Sequence, residues 1–357
     1  MSGRIVTVSY TELDASGGVP KFNRDLHSAF PDRECVHFSW WDHPFHPELD
    51  EQGNLPEWYK ARELNQYLSS RGMLRRDDVI IADGFWADGL ESYPFAVSHS
   101  HGIWSHLTKD DVELGKKPDM PLHHAYQVAF RRRWVDMGKP LTAVSQFIAD
   151  QLMLQWGWEA HVINNGVDVD LFKPMEKSNL YGLKRPFVIH GVNDRSNKNK
   201  GWEHIEFLKT RFENQENPWT IMSLDEAYLQ WAMRSDHPWE KHEILAQADL
   251  VVHPSAYEGN SMFIAEALSC NVPVVGYNVG YLYAVDAHCE DGFVGAVLDR
   301  NGRNPASFAF ACGAVVGRIQ DHPDDHGYIP RKMALRDLSI ESFRSEWRRY
   351  VSWLETR

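Results

Sequence analysis

Apolar residues in the first half of this chain come in short runs: Ile5 to Val8, Val79 to Ile81, Phe95 to Val97 and Leu141 to Val144, separated by longer segments of mixed polarity. Runs of that length read as strands covered on both faces, and the mixed segments between them can form helices, so the alternation predicts parallel β-α units. The opening MSGRIVTVSY reads as the first strand and lacks the basic-then-apolar layout of a signal segment. Turn residues then gather in INNGVDVDLFKP (163–174), which predicts a linker. Beyond it, RPFVIHG (185–191) predicts a strand and Trp202 to Phe212 a helix. The clearest unit is EILAQAD (helix), LVVHPS (strand), AYEGN (loop), SMFIAEALSC (helix) and NVPVVGY (strand). At the end, Ile340, Phe343, Trp347, Tyr350, Val351 and Leu354 recur at helical spacing behind Ser339, a candidate N-cap.

A chain of 357 residues exceeds one ordinary core and suits two domains. The expected division is 1–170, 171–336 and a closing helix over 337–357 that returns to the first domain. The formal net charge of −13 disfavours a protein whose task is to hold a polyanion such as nucleic acid. Cys35, Cys270, Cys289 and Cys312 form no C-x-x-C or zinc-type set and read as reduced thiols of a cytosolic-type compartment. The longest apolar run, FAFACGAVV (308–316), is about half of the ~20 residues that span a bilayer. A cytoplasmic location is expected, with peripheral membrane contact left open.

The chain contains no G-x-G and no G-x-x-x-x-G-K-[ST], which removes most support for nicotinamide and P-loop chemistry. Its most telling stretch is YEGNSMFIAEALSC (257–270), where Glu258 and Glu266 flank a largely apolar run. A helix starting near Asn260 or Ser261 leaves Glu258 in the preceding loop, at a strand end where ligands of open parallel sheets bind. Glu266 then falls about a turn and a half inside. Free N–H groups at that helix start, with Gly259 allowing close backbone approach, would attract a diphosphate, and the carboxylates would accept hydrogen bonds from sugar hydroxyls. Spacing alone equally allows Glu258 as a cap and Glu266 as a solvated or salt-bridged position.

The setting of this stretch, HPSAYEGNSMFIAEALSCNVPVVGY, resembles the retaining GT-B glycosyltransferases, in particular glycosyltransferase family 4, with Asn271 where the usual glycine stands. Further landmarks follow the family's order: GGV at 17–19, SHG at 100–102, AVSQF at 143–147, NNGVD at 164–168 with Phe172 and Pro174, KG at 200–201 and AD at 248–249. The resemblance implies an α/β protein of two Rossmann-like domains facing across a cleft, with a C-terminal crossover helix. It implies that Glu258 holds the donor sugar, Glu266 the ribose, and Lys200 the leaving diphosphate. Gly17 and Gly18 would let backbone approach the diphosphate, Gly259, Asn260 and Ser261 would supply the helix N-terminus, and His101 would contact the sugar. No metal and no cofactor is implied; the donor would be a nucleotide-diphosphate sugar such as a UDP- or GDP-sugar.

One departure concerns the diphosphate. The family has Gly-Arg before its Lys-Gly, but Gly191 is followed here by Val192, so Arg195 or Lys198 would have to substitute. The stretch between Ile221 and Asp249 shows little sign of the strand the family places there, and the base cannot be inferred. His99 and His101 lie two apart, on one side of a strand. Asp168-Val169-Asp170 is formally a D-x-D metal motif, but its setting matches the family's interdomain turn and reads as structural. Trp40, Trp41, Trp86 and Trp104 read as core or rim residues or as stacking faces, and Arg131-Arg132-Arg133 as a solvated helix face or a lipid contact.

The expected activity is therefore retaining transfer of a sugar to an acceptor hydroxyl, of a glycan or glycolipid. Three alternatives stay open: a nucleotide-sugar epimerase or hydrolase, a non-catalytic carbohydrate-binding relative, and a transferase acting on a modified nucleic-acid base.

Overall fold

The computed structural model describes residues 3–45, 57–102, 120–177, 184–192, 198–232, 240–285, 295–321 and 329–357. The chain divides into one unit of Met1–Asn165 with Phe343–Arg357 and a second of Gly166–Ser342. The sheet of each unit is wholly parallel.

The first unit holds β1 (Ile5–Ser9), β2 (Cys35–Ser39), β3 (Val79–Asp83), β4 (Ala96–Ser100), β5 (Leu141–Ala143) and β6 (His161–Val162), in the order β2-β1-β3-β4-β5-β6. Ile5 pairs with Cys35 on one side and with Val79 on the other. The chain therefore reverses its direction of travel at β1, and the crevice outside the carboxyl ends of β1 and β3 is this sheet's switch point. The connecting helices are α1 (Gly18–Ser28), α2 (Glu57–Ser70), α3 (Met120–Asp136) and α4 (Gln146–Trp156). Ile5, Val6, Val79, Ile80, Ala96 and Val97 are all fully buried, as strands covered on both faces must be.

In the second unit β7 (Phe187–His190), β8 (Thr220–Ser223), β9 (Leu250–His253), β10 (Val274–Tyr277) and β11 (Gly295–Leu298) stand in the order β11-β10-β9-β7-β8. The switch point lies between β7 and β9. Helices α5 (Trp202–Phe212), α6 (Leu224–Ala232), α7 (Lys241–Gln247), α8 (Met262–Ser269), α9 (Pro305–Asp321) and α10 (Ile329–Met333) complete the unit. Period-two alternation separates two cores. Phe187, Ile189, Val251 and Val274 face α7 and α8 through Ile244, Leu245, Ile264 and Leu268. Val188, Val252, Val275 and Tyr277 face α5 and α9 through Ile205, Leu208, Phe308 and Cys312.

The structure corrects the sequence reading at β8. Thr220–Ser223 pairs with all of β7, from Phe187↔Thr220 to His190↔Ser223. The strand is an edge of four residues, too short for its alternation to stand out.

The last helix, α11 (Ile340–Thr356), buries Ile340, Phe343, Trp347, Tyr350, Val351 and Leu354. Its N-terminus is capped by Ser339, whose Oγ accepts from the Ser342 amide at 3.1 Å. From Phe343 onward it belongs to the first unit, where Phe343 and Trp347 meet the ring of Phe22 edge-on.

Candidate functional site

Lys200 and Glu258 come together in the second unit. Lys200 ends the short 3-10 turn after β7, and Glu258 lies in the loop after β9, so they arrive from the two strands that flank the switch point. Their loops are joined by the backbone: the Ala256 amide donates to the Asn199 carbonyl at 2.8 Å, and Asn199 Nδ2 donates to the Tyr257 carbonyl at 3.0 Å. The Lys200 Nζ donates to Glu258 Oε1.

Gly201 explains why the two loops can lie so close. Its φ is +72°, and a Cβ there would stand 2.6 Å from the Pro254 carbonyl oxygen. Any other residue would push the loops apart. Gly201 also heads α5, and Ser261 heads α8 without a side-chain cap hydrogen bond. Two helix N-termini, neither with a side-chain cap hydrogen bond, thus stand beside Lys200 and Glu258. Gly259, Asn260 and Ser261 form the link between Glu258 and α8.

A further residue, not singled out in the sequence, completes this cluster. His253, the last residue of β9, is 6% exposed, and its Nε2 lies 3.5 Å from Glu258 Oε1. Lys200 and His253 thus share one carboxylate oxygen; Oε2 has no partner among the described residues. Burial alone would raise the Glu258 pKa, but the His253 contact and the Lys200 charge outweigh it and hold the acid down to about 2. Glu258 is a carboxylate throughout the neutral range. The period of LVVHPS could have flagged His253 as a strand-end residue, but nothing in its spacing ties it to Glu258.

Glu266 lies on α8, buried, and pairs with Lys241 of α7. It is therefore not directed at solvent, as a carboxylate on an exposed helix flank would be. Val192 is buried in the α5–α9 core. An arginine at that point would have to bury its charge. Arg195 lies outside the described residues, as does the side chain of Lys198. A cation that the sequence did not reveal stands near: Arg303 Nη2 donates to the Pro254 carbonyl at 3.0 Å and lies 3.5 Å from Glu203 Oε1.

In the first unit, Gly17 is the N-cap and Gly18 the first residue of α1, the helix that follows β1 at that sheet's switch point. Gly17 has φ +124°, and a Cβ on Gly18 would meet nothing within 4 Å, so the backbone here is open to an approaching group. His99 is fully buried; its Nδ1 is 2.8 Å from Thr142 Oγ1, and its ring stacks on Phe22 at 4.4 Å. His101, just past β4, meets Phe22 edge-on and places Nε2 4.0 Å from Asp83 Oδ1. Burial lowers the His101 pKa to about 4 and raises that of Asp83 to about 7, against the opposing charge of Arg131. At neutral pH His101 is uncharged, and this contact is not an ion pair.

The other sequence candidates separate. Asp168 Oδ1 accepts from the Asp170 and Leu171 amides at 3.1 and 3.0 Å, a turn-closing role. Trp40 and Trp86 are core residues, Trp41 is half exposed, and Trp104 lies outside the described residues. The run at 131–133 is not one solvated face: Arg131 is buried, Arg133 pairs with Asp88 and Glu91, and Arg132 projects outward. Among the described residues no helix is long and apolar enough to cross a membrane.

Comparison with known proteins agrees with this layout. HepE from Anabaena, solved with UDP-glucose, is 18% identical with a TM-score of 0.63, over 98% of this chain and 99% of that one. Sucrose-phosphate synthase from Thermosynechococcus elongatus is 14% identical with a TM-score of 0.72, over 99% of each chain. The fold is GT-B. Residues 228–317 match the family model described as Glycosyl transferases group 1. Alpha-maltose-1-phosphate synthase of Mycolicibacterium smegmatis is 25% identical in an alignment covering 71% of this GT-B chain and 73% of that protein. In sequence and in fold the chain resembles the GT-B glycosyltransferases.

Proposed function

We propose that this protein is a retaining, metal-independent glycosyltransferase that moves a sugar from a nucleotide-diphosphate donor to an acceptor hydroxyl on a carbohydrate or glycolipid. The observation that carries the reading is the meeting of Lys200 and Glu258 at the switch point of the second sheet, beside two helix N-termini without side-chain caps. A diphosphate suits the helix ends and Lys200; a sugar hydroxyl suits the open Oε2 of Glu258. HepE's complex with UDP-glucose and the matching group 1 model point to the same donor class.

In this reading the bond from the anomeric carbon to the diphosphate oxygen breaks as the bond to the acceptor oxygen forms on the same face. The leaving diphosphate takes the acceptor's proton. Lys200 and the N–H groups of α8 stabilise the charge that develops on the leaving group, the largest single contribution expected in such a reaction. Glu258 orients the sugar ring, Glu266 binds the ribose, and Gly17, Gly18, Gly259, Asn260 and Ser261 supply backbone contacts. His101, neutral at pH 7, can donate to or accept from a sugar hydroxyl.

The test is a thermal-shift screen of wild type and Lys200→Ala against nucleoside diphosphates and their sugar conjugates, with and without EDTA. Stabilisation by one nucleotide, lost in the variant and indifferent to EDTA, is the expected result. The reading fails if no nucleotide stabilises the wild type.

A further inference from the structure

Glu258 Oε1 has two neighbours, Lys200 Nζ and His253 Nε2, and only one of them can leave. Lys200 sits on a flexible stem and is about a third exposed, whereas His253 is fixed at the end of β9 by burial. Neither ring nitrogen of His253 has a hydrogen-bond partner, although both are buried. A buried imidazole in that state costs free energy that one contact with a carboxylate would recover. The charged groups the structure places at it are Glu258 and, on the same oxygen, Lys200; the ring of Phe263 lies beside it, and Gly276 of β10 pairs with its backbone.

We infer that His253 is a positioning residue that replaces Lys200 on Glu258 when a diphosphate draws the lysine away, taking up one proton from solvent as it does so. This rests on the donor reading above. Without the exchange, movement of Lys200 to the diphosphate would leave a buried carboxylate uncompensated beside an incoming dianion. With it, Glu258 keeps its charge and Oε1 stays anchored to β9, so Oε2 remains aimed at the sugar.

The experiment is titration calorimetry of the whole chain with ADP-, GDP-, UDP- and dTDP-glucose in buffers of different ionisation enthalpy. Wild type is expected to take up about one proton per donor bound, so that its Kd weakens by up to about tenfold for each unit of pH as the imidazole deprotonates. His253→Gln, which keeps a hydrogen-bond donor, should bind without proton uptake and with a flat profile. His253→Asn provides a second variant should the first not fold. Donor binding with the same proton count in wild type and variant overturns the inference and leaves the donor reading intact. Binding of none of the four by wild type overturns both.

Discussion

The ammonium of Lys200 rests on Oε1 of Glu258, across 58 positions of sequence and from the two sides of a sheet switch point. In an empty site this pair is an ordinary, partly solvated salt bridge, worth at most about 1 kcal/mol. In the proposed reading, each partner is held where a ligand group would take it over.

Removing either partner should therefore hurt turnover far more than stability. Lys200→Ala and Glu258→Ala are each expected to lower turnover at least ~100-fold, the usual cost of one transition-state contact. Steady-state release of nucleoside diphosphate measures this, and near-normal rates would dissolve the assignment.

Glu266 and Lys241 make a second, more buried pair. Lys241→Ala would leave the carboxylate of Glu266 without that partner. Because the lysine is itself 42% exposed, screening limits the loss to about 1 kcal/mol, readable by urea denaturation. Glu266→Gln should unfold at nearly the wild-type urea concentration yet bind nucleotide more weakly.

Asn271 stands where a glycine is usual, and the structure shows why it is accepted. Its φ is +60°, a region asparagine visits far more readily than branched residues, and its Oδ1 accepts from the Arg331 amide at 3.3 Å. Asn271→Gly should be tolerated, whereas Asn271→Val should cost about 1–2 kcal/mol more, as measured by the chemical-denaturation midpoint.

Stability against pH has a definite sign in the first unit. Burial lowers His27 and His101 to about 4 and holds His99 well below the usual imidazole range, so the unfolded chain binds protons that the folded one cannot. Stability from these groups is full above the ordinary imidazole range and is lost as pH falls from about 6.5 toward about 4. Asp83, raised to about 7 by burial, works the opposite way over much of the same window. Its charged form is disfavoured by folding, so Asp83→Asn should gain in melting temperature over wild type as pH climbs from 4 to 8. A constant difference would contradict the environment described for Asp83.

Much of this was legible in the sequence because apolar runs in doubly covered strands are dense: β1, β3, β4, β7, β9 and β10 fall within the predicted runs or end at most three residues from them. Edge strands carry weaker signals. CVHFS of β2 and TIMS of β8 are edge strands that mix polar with apolar residues, so they pass for loop or helix margin. At the site, Lys200, Glu258 and the glycines were found through motif order. His253 and Arg303 were not, because their places depend on strand-end geometry and a tertiary contact with Pro254. Asp168 was readable as a turn residue because Asn-Asn-Gly-Val-Asp is turn chemistry in itself; Asp168→Ala should leave turnover unchanged.

The most direct measurement is proton NMR of the product formed first from an α-linked nucleotide sugar, with EDTA present, using its anomeric coupling constant. The α-configured sugar appearing first, with Glu258→Ala inactive beside it, is the result this account predicts. A β-configured first product, or turnover that EDTA abolishes, would contradict it.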